Sequence, residues 1–204
     1  MSAENATGLA PEDRARAQAY ELLARLLAAP PDADLLKMLA MLEGGETPIG
    51  AALAELAARA AETDAQAARD EYEALFIGVG RGELVPHGSY YITGFLNEKP
   101  LARLRADLRG MGVGRTDGNK VPEDHIASLL EVMAGLIEGG FGEARDGAGA
   151  QQAAHAFFHA HIALWAGRFF ADLEKANAAR LYVPVGTLGR HFVTIEEAAF
   201  EIAA

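Results

Sequence analysis

No cysteine occurs among the 204 residues, which removes disulfides, thiolate nucleophiles and Cys-ligated zinc or iron–sulfur sites, and is compatible with a reducing compartment. Cations are scarce as well: 18 Lys and Arg stand against 29 Asp and Glu, a formal charge of −11. That balance argues against a nucleic-acid partner, because backbone phosphates are held by clustered Lys and Arg; a cationic partner suits the chain better. Nowhere do eighteen apolar residues run without a charge, and the opening "MSAENATGLAPEDR" has no basic n-region followed by an apolar h-region. The expectation is a soluble, non-exported, cytoplasmic protein. Strand-type alternation and fixed-period repeats are absent too.

Familiar catalytic signatures are also missing. "GVGRTDGNK" (112–120) has glycines followed by Lys120, but a P-loop needs four residues between its glycines and then Lys-Ser/Thr, whereas Lys120 precedes Val121. No Gly-x-Ser-x-Gly elbow exists, and Ser89 beside His87 is a loop neighbour pair. His155 and His159 sit at i, i+4, as two metal ligands on one helical face would, but His161 falls on another face and no Glu-x-x-His or His-Glu-x-x-His motif is present. A helical-bundle metalloprotein using His155 and His159 is therefore one rival to a chain with no metal, no cofactor and no catalytic activity; a generic helical adaptor that binds another amphipathic helix is a second.

What is present is helical periodicity. Tyr72, Leu75, Phe76 and Val79 are spaced as one buried stripe; Ile126, Leu129, Leu130, Met133 and Ile137 form another, and Phe158, Ile162, Trp165 and Phe169 a third. Pro11, Pro48, Pro100 and Pro122 sit where first helical turns begin, with Glu12, Asp13, Glu123 and Asp124 suited to the positive helix end. Gly44, Gly112 and Gly139 are candidate stops. Helices are expected near 11–29, 32–43, 48–62, 64–78, 98–111, 122–138, 150–176 and 179–201, the last strained by Pro184 and Gly186. The length suits one compact all-α domain. Its two helical groups, 11–111 and 122–202, are expected to be joined by a hinge at 112–121, "GVGRTDGNKV", whose Gly, Asp and Asn favour turns. A Gly-rich loop is expected at 139–150. The other irregular stretch is 78–97, "GVGRGELVPHGSYYITGFLN".

"EYEALFIGVGRGELVPHGSYY" (71–91), "VPEDHIASLLEVMAGL" (121–136) and "FFHAHIALWAGRFFADL" (157–173) resemble, in order and spacing, the TorD/DmsD/NarJ-type cytoplasmic chaperones of molybdoenzyme maturation. The resemblance spans about residues 12–202. It implies an all-helical fold that binds the twin-arginine signal peptide or the apo form of a client subunit, assists cofactor insertion and holds back premature export. It leaves the client open among formate dehydrogenase, the S- and N-oxide reductases and nitrate reductase, with formate dehydrogenase favoured, and the chain as a monomer or a helix-exchanged homodimer. By motif position it implies leader contacts from Tyr72, Leu75 and Phe76, from the loop residues Pro86, His87, Gly88, Ser89 and Tyr90, and from Asp124 and His125. Where several members carry Trp before the Gly-Ser, this chain has His87.

The residues fit that role physically. A twin-arginine leader offers two cations followed by an apolar segment, so its receptor must join an acidic rim to an apolar groove. Exposed ion pairs contribute only about 0–1 kcal/mol each, whereas micromolar affinity needs roughly −8 kcal/mol. The groove must therefore hold the peptide while net charge steers it; Leu75, Phe76, Leu84 and the tyrosines are the expected lining. Pro86 and Gly88 make a rigid corner, Ser89 is expected to cap a helix begun by Tyr90 and Tyr91, and Phe157, His161 and Trp165, four apart, are expected in the core.

Overall fold

The computed structural model describes residues 9–114, 121–141 and 147–203. Among these the fold is all-α: ten α-helices, one π-helical turn and no strand. The helices are α1 (Pro11–Ala28), α2 (Ala33–Leu39), α3 (Pro48–Glu62), α4 (Ala65–Tyr72), α5 (Gly88–Thr93), α6 (Lys99–Gly110), α7 (Ile126–Ile137), α8 (Gly147–His161), α9 (Ala166–Lys175) and α10 (Tyr182–Ala203). Local chemistry accounts for their starts. Pro11 and Pro48 open α1 and α3, and Asp32, Thr47 and Asp64 accept the free amides of Leu35, Gly50 and Gln66 at 2.8, 3.0 and 2.9 Å.

The core is built by α1 against α7, α10 against α9 and α3, and α8 against α7. The stripes of α7 (Ile126, Leu129, Leu130, Met133, Ile137) and of α8–α9 (Phe158, Ile162, Trp165, Phe169) are buried throughout. Two polar devices tie distant helices together. Glu71 of α4 accepts the amides of Arg180, Leu181 and Tyr182 at 2.7, 3.1 and 2.9 Å, capping α10 from outside. Glu196 of α10, only 1% exposed, takes two bonds from Arg16 at 2.8 Å each and one from Tyr20 at 3.0 Å. Among the described residues no helix is long and apolar enough to cross a membrane.

Four details depart from the sequence-based expectation. The helix expected over 64–78 changes to a π turn at Glu73–Ile77, closed by a 2.7 Å bond from the Gly78 amide to the Glu73 carbonyl; Val79, placed by periodicity on a buried stripe, is therefore fully exposed. The expected long helix 150–176 breaks after His161, because the Trp165 indole N–H takes the His161 carbonyl at 2.7 Å while the Trp165 amide turns to Ile162. The helix expected from Pro122 begins at Ile126, with His125 as its N-cap. Pro184 puts no strain on α10, since it lies in the first turn, where amides have no helical partner. Of the expected hinge 112–121, residues 115–120 lie outside the described residues, as do 142–146 of the expected loop at 139–150.

Candidate functional site

The irregular stretch after the π turn leads back toward α7. Gly78 has φ +60°, and a Cβ there would lie 2.0 Å from the Arg81 carbonyl oxygen, so the turn admits only glycine. The chain then runs through Leu84, whose amide bonds the Leu75 carbonyl at 2.8 Å, to Pro86 and the short helix α5. His87, not Ser89, is the N-cap of α5, and Ser89 lies inside its first turn. Arg81 donates to the Tyr90 hydroxyl and lies over its ring. Tyr91 packs inward on Trp165 and Phe169, with its hydroxyl donating to Asp172 at 3.0 Å.

The corner is fastened to the start of α7. Gly88 donates to the Asp124 carbonyl and Ile126 to the Pro86 carbonyl, both at 2.9 Å. Asp124, only 3% exposed, accepts His87 Nδ1 at 3.1 Å and the Ser89 amide at 2.8 Å. Burial alone would raise the Asp124 pKa; the contacts from His87 and Ser89 outweigh it and hold the carboxyl below the usual Asp value, as the anion. His125 packs edge-on against His87. Burial, then the proximity of His87, pushes His125 down to about 4 against the pull of Asp124, so its neutral Nδ1 accepts the Ala127 amide at 3.2 Å and caps α7.

Beside this fastening, α5, α6, α7 and the α8 end enclose a cavity of about 270 Å³. Gly88, Ser89 and Asp124 line it from the corner, Leu104 and Leu129 from the core, Ile92 and Leu164 at the exposed side. Lys99 and Arg103 stand on its exposed border. Gly88 is closely packed: a Cβ would sit 3.0 Å from Trp165 Nε1, and the indole would have to shift to admit it. His161, also in the lining, donates from Nε2 to Asp107 at 2.8 Å, and burial lowers its pKa against the pull of that carboxylate. Of the lining, Ile92 and Leu164 stand in solvent, Leu164 64% exposed, and Phe95 and Leu96, which follow α5, are exposed as well. A second cavity, about 450 Å³ between α6 and α7, is bordered by the Arg105–Glu123 pair and extends to Gly114 and Val121, next to the undescribed residues.

The structure thus brings Pro86, His87, Gly88, Ser89, Asp124 and His125 together, with Tyr90 half-buried at the edge. It places the expected apolar lining elsewhere. Tyr72, Leu75 and Leu84 are core residues, Tyr72 donating to the Leu27 carbonyl at 3.1 Å, and Phe76 packs on Tyr72 and Tyr182. Their helical spacing described a face turned inward rather than a groove. Ile92, Leu104, Leu129, Ala160 and Leu164 carry no shared sequence signal, since four elements contribute them; Leu164 alone offered a hint, as a leucine off the buried stripe of its segment. Phe157, His161 and Trp165 are buried as expected. The His155 and His159 rings stack 4.5 Å apart beside Phe200, and no group of three or more metal-type ligands exists among the described residues.

Residues 43–171 match the protein family described as "Nitrate reductase delta subunit". A similar curated relative is the "Chaperone protein TorD" of Vibrio cholerae, 29% identical over 122 residues, a match that covers 58% of this chain and 56% of that protein. The chain thus matches little more than half the length of that relative. A similar solved structure is that of a candidate redox enzyme maturation protein from Archaeoglobus fulgidus, 22% identical, with a TM-score of 0.54 over 96% of this chain and 99% of that one; at that identity the likeness speaks for the fold.

Proposed function

We propose, from the premise that this chain belongs to the nitrate reductase delta subunit family, that it is a redox-enzyme maturation chaperone without catalytic activity, and that its ligand is the twin-arginine leader of a client oxidoreductase subunit. The curated relative is named a chaperone, which supports the broad role. The observation that carries the finer one is the cavity of about 270 Å³, lined mainly by apolar side chains and opening beside exposed Ile92 and Leu164. Exposed apolar surface of this kind marks binding sites, and burying it contributes about 25 cal/mol per Å².

Gly88, Ser89 and Asp124 form the receptor floor, Pro86, His87 and His125 hold it in place, and Tyr90 flanks it. Tyr72, Leu75 and Phe76 support the loop from beneath. The formal charge of −11 draws the leader's cations in. Capture in the cytoplasm holds the apo-subunit, of the formate dehydrogenase or S-/N-oxide reductase type, until its cofactor is inserted.

Calorimetric titration with a panel of twin-arginine leaders tests this. Each leader is paired with a Lys-Lys version and a version with a polar core. The polar core is expected to weaken binding by about tenfold or more and the Lys-Lys change by less. Equal affinity for the original and polar-core leaders would overturn the proposal.

A further inference from the structure

Among the described residues one buried side-chain polar atom has no hydrogen-bond partner: the Ser89 hydroxyl oxygen. The residue is 0% exposed and lines the cavity. Its hydroxyl helps to hold the Asp124 charge yet makes no hydrogen bond of normal geometry. Ser89's bonds to the fold are both from its backbone: its amide to Asp124 at 2.8 Å and its carbonyl from the Thr93 hydroxyl at 2.7 Å. An alanine would make both. Beyond its pull on Asp124 the fold gives the hydroxyl no partner, and its unmatched lone pairs call for an explanation.

The cavity that Ser89 lines measures about 270 Å³. An apolar cavity of about 150 Å³ already admits benzene, while small-molecule sites run from about 300 Å³ upward, so this one suits a single aromatic side chain. Its walls, Ile92, Pro100, Leu104, Leu129 and Leu164, fit the ring, and its floor offers the Ser89 hydroxyl beside the ionised Asp124, which accept a hydrogen bond. Lys99 and Arg103 border the mouth and make no ion pair among the described residues. They repel an incoming guanidinium, so the arginines of a leader lie away from this cavity.

We propose that the cavity is a specificity subsite for one aromatic client side chain carrying a hydrogen-bond donor, Tyr or Trp, whose donor is received by the Ser89 hydroxyl. This rests on the leader-binding function proposed above and adds the residue that the receptor selects.

The test is calorimetry with four synthetic peptides, each Arg-Arg followed by a Leu/Ala run with Leu, Phe, Tyr or Trp at one central position. The uniform run lets the distinct side chain find the cavity. Tyr and Trp are expected to bind about tenfold tighter than Phe. Ser89→Ala is expected to equalise Tyr and Phe, and Ala160→Phe, which fills the cavity, to equalise all four. Equal binding of Tyr and Phe peptides by the native protein, or a Tyr preference that survives Ser89→Ala, overturns the subsite and leaves the chaperone function standing. Binding of none of the four overturns both. Saturable binding of p-cresol that no peptide displaces reassigns the cavity to a free small molecule and overturns the subsite.

Discussion

The carboxylate of Asp124 accepts the amide of Ser89 at 2.8 Å, joining residues 35 positions apart. With His87 on its other oxygen, it makes the start of α7 and the corner before α5 one unit. Asp124→Ala leaves the Ser89 amide buried and unmatched and is expected to cost about 2–4 kcal/mol in urea unfolding. Because the folded Asp124 pKa is depressed, its contribution is present above the ordinary Asp value near 3.9 and is lost as pH falls through the folded value. Asp124→Asn is expected to flatten the acid limb of a stability–pH curve measured below pH 4.

His125 governs a different pH window. Its folded pKa is about 4 against 6.5 when free, so it takes up a proton on unfolding between those values. Stability is full above about pH 6.5 and declines toward pH 4, by at most roughly 3 kcal/mol at 1.36 kcal/mol per pH unit. His125→Asn retains an N-cap acceptor that does not titrate. Unfolding midpoints from pH 4 to 7 are expected to show a shallower slope in that variant, His161 keeping its own share, and an unchanged slope would show that His125 carries none of it.

Arg16 and Glu196 form a buried pair with Tyr20. Removing one partner leaves a buried charge, so Arg16→Ala is expected to cost about 3–5 kcal/mol. Replacing both with apolar residues, Arg16→Met with Glu196→Leu, is expected to recover most of that loss. Denaturant unfolding of the two single variants and the double variant measures the coupling.

Two glycines in helices are expected to respond with opposite signs. A Cβ at Gly186 would lie 2.7 Å from the Glu174 backbone nitrogen, where α10 presses on α9, whereas nothing lies within 4 Å of one at Gly167. Gly186→Ala is expected to destabilise by about 1–3 kcal/mol and Gly167→Ala to stabilise by about 0.5–1 kcal/mol, read as shifts of thermal midpoint in opposite directions.

Helices were legible in the sequence where propensity, caps and spacing agreed, as in α1 and α3, whose Pro11 and Pro48 open them. Boundaries were missed where a side chain competes with the backbone ladder. The Trp165 indole claims the His161 carbonyl and breaks a helix, and Asp124 turns toward the corner instead of starting one. For the site, the Pro-His-Gly-Ser corner and Asp124 could be found by motif, but Ile92, Leu104 and Leu164 meet only in three dimensions. The spacing of Tyr72, Leu75 and Phe76 marked an inward face, and Tyr72 and Leu75 are buried, but periodicity reveals such a face without saying what covers it.

The π turn at Glu73–Ile77 holds one residue more than a regular helical turn would. Excising a single residue there would restore the ordinary winding and swing the outgoing strand of chain by about 100° about the helix axis. The Gly78 bend, Leu84 and the corner at Pro86 would then emerge facing another direction. The aim of the corner that carries Gly88 and Ser89 is thus indexed by one extra amino acid, lodged some ten positions upstream of Gly88.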